Sequence, residues 1–131
     1  MKRLLSVVVA LALGWALVPA VQAQQDTLAK IKETGTLTIG TRTGSPPFAY
    51  VNKDNQWVGF SIDLVEQLVR PSVEKAVGRA VKVEKKESTP PTRIPLLSSN
   101  AVDLIAGTMT DTPQRREVVD FSLTFFYTGA Q

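Results

Sequence analysis

Val102-Asp103-Leu104-Ile105-Ala106-Gly107-Thr108-Met109-Thr110-Asp111-Thr112-Pro113-Gln114-Arg115 passes from an apolar run to a helix start within a few residues. Val102 to Ala106 has the length and composition of a short buried strand, and Gly107 ends it. Asp111 or Thr112 then stands where an N-cap belongs, with Pro113 at an early helical position and Arg115 in the first turn. A strand that hands over to a helix is the repeating unit of an α/β sheet. The loop between them lies beyond the strand's carboxyl end, where such sheets hold ligands.

The same grammar extends upstream. Asp26 to Gly35 reads as a short helix, with Asp26 as cap and Gly35 able to take a left-handed conformation after the last turn. Thr36 to Thr41 alternates as a β-branched strand, and Arg42-Thr43-Gly44-Ser45-Pro46-Pro47 is expected as loop because consecutive prolines supply no amide donors. Phe48 to Val51, the turn residues Asn52 to Gln56, and Trp57 to Gly59 predict a β-hairpin. From Ser61, the expected N-cap, Ile62, Val65, Leu68, Val69, Val73, Ala76 and Val77 recur at helical spacing before Gly78. Pro71 clashes with the carbonyl of Gln67 and predicts a kink. Ala80 to Glu87 follows as a strand, Thr92 to Ser98 as helical turns, and Phe121 to Tyr127 as a last strand. This order predicts an α/β fold, a mostly parallel sheet with helices on both faces.

Residues 1–23 have a different logic. Met1-Lys2-Arg3 is basic, Leu4 to Leu17 is apolar apart from Ser6 and Gly14, and Pro19 precedes Val21-Gln22-Ala23. That is the order of a cleaved signal peptide, with the cut expected after Ala23 and a single membrane anchor as the alternative. Its loss removes Lys2 and Arg3 and brings a chain of formal charge +3 close to neutrality, which weakens any argument for nucleic-acid binding. The chain has neither cysteine nor histidine. Ser-His-Asp triads, Cys-His dyads, disulfides and His/Cys zinc sites are therefore excluded. A thiol-free exported domain suits the bacterial periplasm.

Three arginines follow three strand ends: Arg42, Arg93 and Arg115. A guanidinium fork matches a carboxylate bidentately, and each charge-assisted bond contributes roughly 1.5–3 kcal/mol. Their convergence would hold a small anion, whereas Arg42 and Arg93 taken singly read first as solvated surface arginines. Thr108 and Thr110 offer hydroxyls on the loop before Arg115, beside a capped helix start that attracts carboxylates. Phe48 and Tyr50 can cover the apolar part of a ligand or pack into the core. Asp63, Asp103, Asp111 and Asp120 are spaced as caps and strand edges rather than as an acid–base pair. No catalytic residue, metal site or cofactor site is expected, and the chain is read as a non-enzyme.

Gly59-Phe60-Ser61-Ile62-Asp63-Leu64, then Val102 to Thr110, Arg115 and Val119-Asp120-Phe121-Ser122, resemble the periplasmic solute-binding proteins of amino-acid ABC transporters, family 3, with the type II binding-protein fold. Ser61 stands where that family usually has an acid. The resemblance covers nearly all of residues 26–131. It implies that Thr108 and Thr110 contact the amino-acid backbone and that Arg115 binds the α-carboxylate. Gly40-Thr41-Arg42 and Thr92-Arg93-Ile94-Pro95-Leu96-Leu97 are similar to glutamate/aspartate-binding members, which implies that Arg42 and Arg93 hold a side-chain carboxylate. Pro90 departs from those members, which can offer a serine hydroxyl there.

What the resemblance implies for the whole is a monomeric periplasmic binding component that delivers an amino acid to a permease in the inner membrane. A dehydratase on the same fold, or the sensing module of a membrane receptor, are the alternatives. Residues 24–131 correspond to an incomplete first lobe, with the second lobe absent from the sequence. If one lobe supplies half of a micromolar affinity, about −4 kcal/mol remains, so the lone lobe is expected to bind at about millimolar or weaker.

Overall fold

The computed structural model describes residues 26–127. The expected signal peptide, residues 1–23, and the end of the chain after Tyr127 lie outside them.

Helix α1 (Thr27–Thr34) starts where the Asp26 side chain accepts the Leu28 amide at 3.0 Å and ends at Gly35, whose φ of 70° is the left-handed closure expected of glycine. Strand β1 (Thr36–Thr41) follows and is buried from Leu37 onward. It is the middle strand of a parallel sheet, between β5 (Lys82–Glu87) and β6 (Leu104–Ile105). Thr36 pairs with Lys82 and Thr41 with Glu87, while Ile39 and Gly40 face Leu104 and Ile105. A strand covered on both faces needs small or apolar side chains throughout, which Leu37-Thr38-Ile39-Gly40-Thr41 supplies.

β6 is shorter than the Val102 to Ala106 run predicts. Even so, Asp103 N–H donates to Thr38 O at 2.7 Å and Ala106 N–H to Gly40 O at 2.9 Å, so backbone pairing extends past both ends of the strand. Asp103 also ties the sheet to α1. Its side chain accepts from Thr38 N–H at 2.8 Å and from Lys30 Nζ at 2.7 Å, and it is almost fully buried.

The expected loop Arg42 to Pro47 contains a two-residue strand, β2 (Gly44–Ser45), paired antiparallel with β3 (Ala49–Val51). β4 (Trp57–Val58) completes the hairpin on the other side. The prolines still obey their rule, since Pro46 and Pro47 form the turn and leave the pairing to Gly44 and Ser45.

One helical stretch follows, in three registers: α2 (Phe60–Leu64), a π-helical turn (Val65–Val69) and α3 (Arg70–Val77). Ser61 is not its cap. The N-cap is Gly59, and Ser61 sits buried inside the first turn with its amide donating to Phe48 O at 2.8 Å. At Pro71 the helix widens. The π turn lies immediately before the proline, Arg70 N–H reaches Val65 O, and Ser72 Oγ donates to Leu68 O at 2.7 Å.

The core joins Ile31 of α1, Leu37 and Ile39 of β1, Ala49, Ile62, Val65, Val77, Val81 and Ala106. Helix α4 (Arg93–Ser98) packs beside β6, and a short α5 (Pro113–Arg116) follows. The α/β reading therefore stands, with a parallel sheet and packed helices. The last expected strand does not. Residues 121–127 pair with no other strand among the described residues, and side chains hold them instead: Phe126 meets Phe48 edge-on at 4.8 Å and Phe125 tilts against Phe60 at 5.9 Å.

Candidate functional site

The carboxyl ends of β1, β5 and β6 form one edge because the strands are parallel and in register. Gly40 lets them close up. A Cβ there would lie 2.5 Å from Ile105 Cδ1 and 3.3 Å from Ser88 Cβ, so only glycine permits this approach without displacement. Ser88 N–H donates to Thr41 O at 2.7 Å, which carries the β1–β5 pairing one residue past the strand and starts the loop toward Arg93.

Arg93 is the anchor of this edge. It opens α4, is only 5% exposed, and its Nη1 donates to Thr108 O at 2.6 Å. Burial depresses its pKa from the ordinary guanidinium value, and repulsion from Arg42 and then Arg115 depresses it further. All three arginines expected at the strand ends thus share one electrostatic neighbourhood. Arg115 Nη1 donates to Thr110 O at 2.6 Å. Each of these two guanidiniums is oriented by a neutral carbonyl, which fixes a direction without cancelling a charge. Among the described residues, none of the three arginines forms a salt bridge.

The neighbour Arg116 behaves differently. It closes on Asp111 through two contacts, Nε–Oδ1 at 2.7 Å and a second between Nη2 and Oδ2, and that carboxylate raises its pKa. The cap of α5 is Thr112, whose Oγ1 accepts the Arg115 amide at 3.4 Å, so Asp111 remains with Arg116. Thr108 and Thr110 are exposed on the loop that supplies both carbonyls. Phe48 is half-buried and packs edge-on against Phe60 and Phe126, so its ring contacts lie within an aromatic cluster.

Sequence reasoning passed over Ser88. Its hydroxyl is buried and, like Thr41 Oγ1 and Arg93 Nε, has no hydrogen-bond partner among the described residues. The only hint in the sequence was a hydroxyl residue directly after the charged strand Lys82–Glu87. A shallow apolar groove lined by Leu28, Leu68, Val69, Ser72, Val73 and Ala76 shares no residue with the arginine edge.

Residues 37–131 match the bacterial extracellular solute-binding proteins, family 3. The chain belongs to that family. It is 40% identical over 108 residues to a glutamine-binding protein of Geobacillus stearothermophilus, covering 82% of this chain and 40% of that protein. It is 38% identical over 106 residues to the L-glutamate/L-aspartate-binding protein of Pseudomonas aeruginosa, covering 80% of this chain and 35% of that protein. This family member therefore spans well under half the length of the curated relatives it matches. Among solved structures, it superposes with a TM-score of 0.63 and 31% identity on the arginine-bound form of domain 1 of the T. maritima arginine-binding protein, a Phe57Trp mutant, covering 76% of this chain and 71% of that one. No helix among the described residues is long and apolar enough to cross a membrane.

Proposed function

We propose that this family member captures acidic amino acids, glutamate and aspartate, for an ABC permease of the inner membrane, and works in the periplasm after removal of residues 1–23. One observation carries the reading. Arg42 and Arg115, from two other segments at the same sheet edge, both act on the buried charge of Arg93, and none of the three has a carboxylate partner among the described residues. An assembly of that kind is unfavourable until an anion enters it, and a ligand with two carboxylates offsets more of the repulsion than one with a single carboxylate.

Arg115 is assigned to the α-carboxylate, the Thr108 and Thr110 hydroxyls to the ligand's backbone groups, and Arg42 and Arg93 to the side-chain carboxylate. Phe48 is assigned to the edge of the apolar part of the ligand. Capture rather than turnover is favoured because two acids close to these segments are already engaged, Asp103 by Lys30 and Thr38 and Asp111 by Arg116. Neither a cofactor nor a metal enters the scheme, and the unit is a monomer. The arginine-bound single domain of the T. maritima relative supports the idea that one lobe suffices to hold a ligand.

Titration of the full chain against a panel of amino acids tests this. Aspartate and glutamate are expected to bind most tightly, Arg115→Ala to abolish binding of every ligand, and Arg42→Ala or Arg93→Ala to weaken the acidic ligands most. Equal losses across the panel for all three variants would overturn the division of roles.

A further inference from the structure

Among the described residues, three buried polar atoms at the arginine edge have no hydrogen-bond partner: Thr41 Oγ1, Ser88 Oγ and Arg93 Nε. Thr41 is 0% exposed, Ser88 1% and Arg93 5%. An unsatisfied buried polar group costs about 1–3 kcal/mol, more when it carries charge, so native structures rarely leave three beside one site without a use. All three lie at the same end of the sheet. The Ser88 side chain sits over Gly40, within 3.5 Å of where a Cβ would be, and Ile105 reaches the same point from β6. Arg93 reaches across that end to Thr108, which follows β6. Pro90 and Pro91 restrict the backbone of the loop that joins Ser88 to Arg93.

Ser88 Oγ and Arg93 Nε are complementary to one kind of group. Arg93 Nε–H is a donor only, and a serine hydroxyl donates readily to a second oxygen. What satisfies both is an oxygen acceptor. The donors of Arg93 then have separate roles, because the Thr108 carbonyl holds Nη1 and leaves Nε for the acceptor it shares with Ser88.

We propose that Ser88 is a positioning residue for Arg93, acting through one buried acceptor oxygen that Ser88 Oγ and Arg93 Nε share, and that it thereby sets the preference for an acidic side chain. The oxygen comes either from a trapped water or from the ligand's own side-chain carboxylate. The inference rests on the proposed capture of acidic amino acids.

The test compares binding of glutamate, aspartate and glutamine to the full chain and to Ser88→Ala and Ser88→Thr, with a thermal melt of each protein. Ser88→Ala is expected to weaken the acidic ligands about fivefold to tenfold while glutamine changes less than about twofold, and Ser88→Thr, which keeps the hydroxyl, to restore selectivity. Equal losses for glutamate and aspartate identify a water. A greater loss for glutamate, whose carboxylate extends one methylene further, identifies the ligand's oxygen. Selectivity unchanged in Ser88→Ala, with the unsubstituted chain binding acidic ligands, overturns this inference alone. An unsubstituted chain that binds glutamine but neither acidic ligand overturns the functional reading and this inference together.

Discussion

Arg93 shows how a buried cation opposes stability. Its guanidinium is buried, faces two other cations and has only a carbonyl for company, so its native pKa lies below the ordinary value for the group. For a base with a depressed native pKa, the unfolded chain binds the proton more tightly. Stability therefore rises with pH between the native and unfolded values, and below both the full penalty is present. Replacing a buried charge that lacks an ionic partner by an apolar side chain of similar length is often neutral or stabilising. Arg93→Met is thus expected to melt no earlier than the parent and to raise stability by about 1 kcal/mol, while losing more than about tenfold in aspartate affinity. Thermal melts and titrations of the same preparations check both halves. A variant that melts earlier would mean that the bond to Thr108 outweighs the repulsion.

At the scale of elements, Gly59 decides where the long helix begins. Its φ is 120°, and a Cβ would meet Phe48 O at 2.6 Å and Pro47 O at 2.7 Å, both backbone atoms that cannot swing away. Gly59→Ala is expected to cost at least about 2 kcal/mol from backbone strain and collision, measured as a lowered denaturant midpoint with an unchanged slope. The sequence pointed instead to Ser61, because serine is a good cap in general. The packing of Phe48 against the turn overrides that local preference by making the chain pass too closely for any side chain at Gly59. Elements whose cause is local were legible beforehand: α1 with its Asp26 cap and Gly35 closure, β1 with its β-branched residues, and the Arg93–Ser98 helix. Elements whose cause is a distant partner were not. Residues 121–127 have strand-like composition, yet a strand exists only beside another strand, and here aromatic contacts to Phe48 and Phe60 hold the segment. The candidate site divides in the same way. The three arginines could be read from their positions after strands, whereas the orphaned Ser88 hydroxyl is a product of burial that no spacing reveals.

For the molecule as a whole, the proposed function makes the ligand a missing counter-charge, which would turn binding into stability. A ligand that binds only the folded chain stabilises it in proportion to the logarithm of its saturation; at a concentration about ten times its dissociation constant the gain is about 1.4 kcal/mol. With the millimolar constant expected of one lobe, about 10 mM aspartate should therefore raise the melting temperature by about 6–11 °C in a domain of this size. Arg42 and Arg115 are only half-buried, so added salt screens the attraction they contribute, and about 0.5 M sodium chloride is expected to reduce the shift by more than half. Glutamine, nearly the same shape as glutamate but without the second charge, should give a clearly smaller shift than either acidic amino acid at equal concentration. Scanning fluorimetry of the full chain with the three amino acids, at low and high salt, reads all of this at once. Identical salt-independent shifts for glutamine and aspartate would mean that the cluster recognises the shared α-amino acid part alone. The repulsion at Arg93 would then be a cost of folding that no side chain of the ligand relieves.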